Sequence, residues 1–142
     1  MTAQLLKINI KQQFESHEQR RILLIEDNDV NRMLLSDYLI YFKYNVQSLP
    51  GASTFFSTVE KFEPELILLD LKLPDGDGFL LLEEIKQKPK YSQIPIIIVS
   101  GFAFKADQQR AMMLGASRYF VKPVNLSKLL LAIEEELTKH CF

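Results

Sequence analysis

Residues 64–70 read Pro-Glu-Leu-Ile-Leu-Leu-Asp, an aliphatic run opened by a proline and closed by an aspartate. Such a run is far shorter than the roughly 20 apolar residues of a membrane span, and it lacks the polar face of a surface helix. It predicts a strand buried on both sides. Three further stretches repeat the pattern. Arg21-Ile22-Leu23-Leu24-Ile25 runs into Glu26-Asp27, Pro95-Ile96-Ile97-Ile98-Val99 into Ser100, and Arg118-Tyr119-Phe120-Val121 into Lys122-Pro123. Tyr44-Asn45-Val46-Gln47-Ser48-Leu49 alternates apolar with polar, as an edge strand does.

Helical stripes fill the intervals. Val30, Leu34, Tyr38 and Tyr41 share one predicted face; Ala52, Phe55, Phe56, Val59 and Phe62 share another. Leu81, Leu82 and Ile85 form a short stripe, Lys105 to Leu114 a weak one, and Leu126, Leu129, Leu130, Ile133 and Leu137 the clearest. Strand and helix thus alternate along the whole chain. Parallel strands joined by right-handed helical crossovers follow, so the expected fold is a doubly wound α/β protein, a five-stranded parallel sheet in a three-layer sandwich with five helices. Punctuation agrees: Asn28 or Asp29 can cap the first helix, Gly115 can end the fourth and Asn125 can cap the fifth.

The chain has 142 residues, with 17 Lys+Arg against 18 Asp+Glu and a formal charge of −1. That length suits one domain with a real core. Near-neutrality argues against direct nucleic-acid binding, which relies on a broad basic surface. No run is long enough for membrane insertion, and the leader has no apolar signal-peptide centre. Cys141 is the single cysteine, so no internal disulfide can form, which fits a cytoplasmic protein. Residues 1–20 stand apart as an N-terminal extension: Leu6, Ile8 and Ile10 alternate like a strand, while Leu6, Ile10, Phe14 and His17 suit a helix. Residues 21–139 are expected to form the domain and 140–142 a tail, with no room expected for a further output domain.

Polar chemistry is concentrated where strands end. Glu26 and Asp27, Asp70, Ser100 and Lys122 each close an apolar run, and ligands of open α/β sheets bind outside those ends. Taken singly, each residue reads as a cap, turn former or solvated charge. Together they place carboxylates, a hydroxyl and an ammonium on one edge. Carboxylates crowded together either hold a proton or recruit a cation, and oxygen donors without His or Cys favour Mg²⁺. An Asp carboxylate can attack phosphorus, and a metal, an ammonium and a hydroxyl neutralise the transferring oxygens.

The ordered motifs Ile-Leu-Leu-Ile-Glu26-Asp27-Asn28, Leu-Leu-Asp70-Leu-Lys-Leu-Pro74-Asp-Gly-Asp77-Gly78, Ile-Ile-Val-Ser100-Gly101 and Gly115-Ala116-Ser-Arg-Tyr119-Phe-Val-Lys122-Pro123 resemble the receiver domain of two-component response regulators, of the chemotaxis-regulator type. The resemblance covers roughly residues 20–139. It implies a flavodoxin-like strand order, 2-1-3-4-5. It implies that Asp70 accepts phosphate from a phosphohistidine on a sensor histidine kinase or a histidine phosphotransfer protein. Asp27, Asp70 and the backbone carbonyl of Lys72 would hold Mg²⁺, with Glu26 acting through water. Ser100 and Lys122 would bind the phosphoryl oxygens, and Tyr119 would be the aromatic switch. Pro123 would follow a cis peptide. Phosphorylation would shift the face of the fourth helix, fifth strand and fifth helix toward a downstream protein target, the chain being a monomer or a phosphorylation-dependent dimer. The family's positions at Lys72 and Phe102 govern water access; Lys72 is expected to be drawn toward the acidic cluster or the phosphoryl group and Phe102 to shield it, giving a long-lived phospho-form.

Rival readings are weaker on the same residues. A haloacid-dehalogenase-type phosphohydrolase needs a second Asp where Lys72 stands, and a flavodoxin-like flavin site needs a phosphate loop where Glu26-Asp27-Asn28-Asp29 would repel one. His17-Glu18 resembles a kinase phosphoacceptor motif without the accompanying domains, and His140 reads as solvated. A phosphorylation-independent interaction domain, or a relay intermediate passing phosphate onward, is the serious alternative.

Overall fold

The computed structural model describes residues 19–139. The N-terminal extension up to residue 18, including His17, and the 140–142 tail with Cys141 lie outside the described residues. Five strands, β1 (Arg21–Ile25), β2 (Asn45–Leu49), β3 (Leu66–Leu69), β4 (Ile96–Ser100) and β5 (Arg118–Val121), pair in parallel in the order β2-β1-β3-β4-β5. Helices α1 (Asp29–Tyr41), α2 (Phe55–Phe62), α3 (Gly78–Gln87), α4 (Lys105–Met113) and α5 (Leu126–Lys139) provide the connections and the end. The expected doubly wound sandwich and its strand order are those observed.

The unbroken aliphatic runs are explained by the two cores they serve. Successive strand residues point to opposite faces. Leu23, Ile25, Ile67, Leu69, Ile96 and Ile98 therefore pack with α2, α3 and α4 through Phe55, Val59, Leu82, Ile85 and Ala111. Ile22, Leu24, Leu66, Leu68, Ile97 and Val99 pack with α1 and α5 through Leu35, Leu39, Leu129 and Ile133. Caps fall where the turn chemistry puts them. Asn28 Oδ1 accepts from Asn31 N–H at 2.9 Å, Asp77 Oδ1 from Phe79 N–H at 2.8 Å and Asn125 Oδ1 from Lys128 N–H at 3.1 Å. Gly115 leaves α4 with φ +109°, a conformation open to glycine.

Two elements depart from the periodicity. The stripe of Val30, Leu34, Tyr38 and Tyr41 meets the core only through the half-buried Tyr38: Val30, Leu34 and Tyr41 are exposed, and Leu35 and Leu39 are the buried residues of α1. This helix is apolar on two arcs. Its rotation is set by the chain path, Leu39 O accepting from Tyr44 N–H at 3.2 Å as the chain turns into β2. The run 118–121 is not buried on both sides either. β5 is the edge of the sheet, paired with β4 alone, and its four residues are each half-buried. A small antiparallel hairpin, Lys72–Leu73 with Gly76–Asp77, follows β3. The Lys122–Pro123 peptide is cis. Among the described residues no helix is long and apolar enough to cross a membrane.

Candidate functional site

Register brings the polar strand ends together. Ile25 of β1 lies opposite Leu69 of β3, so Glu26 and Asp70 leave the sheet side by side. Backbone bonds continue the ladder beyond the strands: Asp70 N–H donates to Ile25 O and Glu26 N–H to Leu49 O, each at 3.0 Å. Across the sheet, Ser100 pairs with Val121, and Lys122 N–H donates to Ser100 O at 2.9 Å. Sheet geometry, rather than loop chance, thus places all four elements at one edge.

Glu26 and Asp70 are each 4 % exposed and Ser100 is fully buried, while Asp27 is open to solvent. Carboxylate oxygens of Glu26, Asp27 and Asp70 lie within 4.8 Å of one another. Lys122 bridges the buried pair, its Nζ donating to Glu26 Oε1 at 2.6 Å and to Asp70 Oδ2 at 2.7 Å. One ammonium cannot balance three carboxylates. Burial, then a hydrogen bond to Asp70, pushes the Glu26 carboxyl up to about 7 against the opposing pull of Lys122. Burial draws the Lys122 ammonium down, but its bonds to Asp70 and Glu26 outweigh that and raise it.

Phe102 and Tyr119 are linked to Ser100 by hydrogen bonds, and Lys72 to Asp70. Phe102 N–H donates to Ser100 Oγ at 3.2 Å, and the Tyr119 hydroxyl donates to Phe102 O at 2.6 Å. Lys72 is exposed; its N–H donates to Asp70 Oδ1 at 3.1 Å. Among the described residues the ammonium at these carboxylates is that of Lys122, which follows β5, and not that of Lys72. Phe102 is half-buried and its ring stacks on Phe79, with centroids 6.4 Å apart and planes 12° from parallel. It belongs to the α2–α3–α4 core, not to solvent. Beside the site, Glu26 and Lys122 open onto a groove of about 470 Å³ walled by Leu34, Val124 and Leu126.

Two supporting groups were marked in the sequence only as parts of the turn motif after Asp70. Asp75, hidden in a turn motif, accepts from Ala52 N–H at 2.9 Å and Ser53 N–H at 2.8 Å, tying the β2–α2 loop to the loop after Asp70. Those backbone donors hold its carboxyl below the usual range. Gly78 lets its backbone approach Leu71, whose carbonyl accepts the Gly78 N–H at 3.0 Å.

Fold and site together define a doubly wound α/β domain with an acidic pocket at the C-terminal ends of its strands. A family model, the response regulator receiver domain, matches residues 22–134, and the chain belongs to that family. It is 37 % identical over 111 residues to the transcriptional regulatory protein KdpE of Staphylococcus aureus, matching 78 % of this chain and 47 % of that one. The chain thus spans about half the length of that regulator. It is 26 % identical over 118 residues to the polar-differentiation response regulator DivK of Brucella ovis, covering 83 % of this chain and 96 % of that one. Among solved structures, a CheY-like receiver domain protein from Methanospirillum hungatei superposes with a TM-score of 0.80 at 30 % identity, over 86 % of this chain and 96 % of that one.

Receiver domains bind Mg²⁺ at an acidic pocket and interact with histidine kinases and downstream targets. The residues present here fit such an ion. The donors are all oxygens, as a hard cation requires, and Glu26 Oε2 is buried without a hydrogen-bond partner among the described residues. Asp27 supplies an open side at which a cation can keep part of its water.

Proposed function

We propose that this chain is a phospho-accepting response regulator, with Asp70 the acceptor. The observation that carries the reading is the Lys122 ammonium 2.7 Å from the buried Asp70 carboxylate, with Glu26 and Asp27 at its side. In the reaction, an Asp70 oxygen attacks phosphorus, the bond from phosphorus to the imidazole nitrogen of a partner phosphohistidine breaks, and that nitrogen keeps the electron pair. Asp27, Asp70 and the Lys72 carbonyl would hold Mg²⁺, with Glu26 acting on it through water, and the ion would supply charge neutralisation at the phosphoryl oxygens. Lys122 pairs with one of these oxygens and the Ser100 hydroxyl donates to another.

Phosphorylation adds roughly 1.5–2 negative charges beside Ser100 and Lys122. Tyr119 reads that change, because its hydroxyl is bonded to the carbonyl of the loop that Ser100 begins. The output is a population shift of the α4–β5–α5 face toward a protein target, or toward a second copy of the chain. A swing from 1:99 to 99:1 requires about 5.5 kcal/mol of preference. The sensor kinase or phosphotransfer protein and the target both belong to a cytoplasmic relay.

Incubation with Mg²⁺ and a small phosphodonor tests the reading by intact mass. Uptake of one phosphate by the parent, absent in Asp70→Asn and in EDTA, is the expected result. Failure of the parent to take phosphate would instead make the chain a phosphorylation-independent interaction domain.

A further inference from the structure

Ser100 is held by more than its own strand. Its Oγ accepts the Phe102 N–H at 3.2 Å, which occupies one lone pair and restricts the hydroxyl rotor that must donate into the pocket. Phe102 is in turn fixed at its carbonyl by the Tyr119 hydroxyl at 2.6 Å and at its ring by the stack on Phe79. Phe79 is the second residue of α3, directly after the glycine bonded to Leu71 in the loop that follows Asp70. Over the Phe79 ring lies the Arg110 guanidinium of α4, 4.1 Å from the centroid. A continuous chain of contacts thus runs from an exposed arginine to the buried hydroxyl.

We infer that Arg110, Phe79 and Phe102 form a clasp that positions the Ser100 hydroxyl for the incoming phosphoryl group. It rests on the phospho-acceptor reading above. The clasp joins three separate parts of the site frame: the loop after β3 through Phe79, the loop after β4 through Phe102, and α4 through Arg110. Parallel offset rings and a cation over a ring face are both attractive arrangements, and each loses its contribution when one partner is truncated. Arg110 is a positioning residue in this scheme; it touches neither Asp70 nor the phosphoryl group. Its charge is not spent on an ion pair among the described residues, and α4 otherwise buries only Ala111, so the ring contact is a principal tie between this helix and the site.

Two readouts test it, one independent of phosphate. Hydrogen exchange of the Phe102 amide in the full chain should quicken ~3–10-fold in Arg110→Ala and in Phe102→Leu, the range set by losing one such contact. The Ile97 and Ile98 amides should not change, and Arg110→Lys should restore most of the protection. Unchanged Phe102 exchange in both variants overturns the clasp whatever Asp70 does. The second readout is the rate of phosphate uptake from a small phosphodonor. Arg110→Ala should slow it ~3–10-fold in the parent and have no effect in a Ser100→Ala background, since a residue acting through Ser100 is silent once that hydroxyl is gone. Equal slowing in both backgrounds means a merely structural role and overturns the inference. A parent that takes no phosphate removes the acceptor reading, and the clasp then stands or falls on the exchange result alone.

Discussion

At the scale of single residues, the site is a problem in charge balance, with the Lys122 ammonium bridging two of three clustered carboxylates. Glu26 is buried between Asp70 and Lys122, and one of its oxygens has no hydrogen-bond partner among the described residues. Its carboxyl rises from the ordinary 4.5 to about 7, chiefly by burial. A carboxyl whose pKa is raised by folding binds more protons in the native state than in the unfolded one. The stability it lends is therefore full below about pH 4.5 and is lost as pH climbs toward 7. In EDTA, urea unfolding should show the parent losing up to about 3 kcal/mol across that window. Glu26→Gln should flatten the slope, and a slope unaltered by the substitution would show that another group titrates.

At the scale of elements, α1 is where periodicity misleads. It carries one apolar arc on Leu35 and Leu39 and another on Val30, Leu34 and Tyr41, and hydrophobicity alone cannot choose between them. Packing chooses, and the two arcs should differ sharply under truncation. Leu39→Ala should cost about 2–5 kcal/mol, whereas Leu34→Ala should stay within about 0.5. Equal costs in chemical denaturation would restore the arc that the sequence suggested. β1, β3 and β4 were legible because a central parallel strand buries both faces, so its burial is written in its own residues. β5 was legible as a strand over residues 118–121, but its half-burial was not, since edge position depends on which strands lie beside it. The approach of the polar strand ends was legible for the same reason as the central strands: in a parallel sheet every C-terminal end lies on one edge. The bridge of Lys122 to Glu26 and the bond of Tyr119 to Phe102 were hidden, because they depend on side-chain reach across the β4–β5 register. The loop after Asp70 adds a backbone constraint. A Cβ on Gly78 would lie 2.4 Å from Leu71 Cα and 2.6 Å from its carbonyl oxygen, and rigid backbone cannot yield as a side chain can. Gly78→Ala should cost about 1–3 kcal/mol by overpacking and should also disturb Asp70, visible as weakened Mg²⁺ binding alongside the lowered urea midpoint.

At the scale of the whole molecule, an acidic edge is built onto a sheet whose two cores are almost wholly apolar, and the near-zero net charge conceals it. Glu26 and Asp70 are seated by ladder bonds to neighbouring strands, so a cation bound there adds to the same cooperative structure that unfolds globally. Asp27 differs: it is exposed and contributes nothing to either core. Stability and metal binding should therefore separate at this residue. Mg²⁺ at about a hundred times its Kd should raise the parent's unfolding free energy by about 2.7 kcal/mol, by mass action on the native state. Asp27→Asn should leave the metal-free urea transition within about 0.5 kcal/mol of the parent, as surface substitutions do. It should nevertheless lose most of the Mg²⁺ gain at the same ion concentration. A variant that keeps the full gain would remove Asp27 from the metal set and leave Asp70 and the Lys72 carbonyl, with Glu26 through water, to hold the ion.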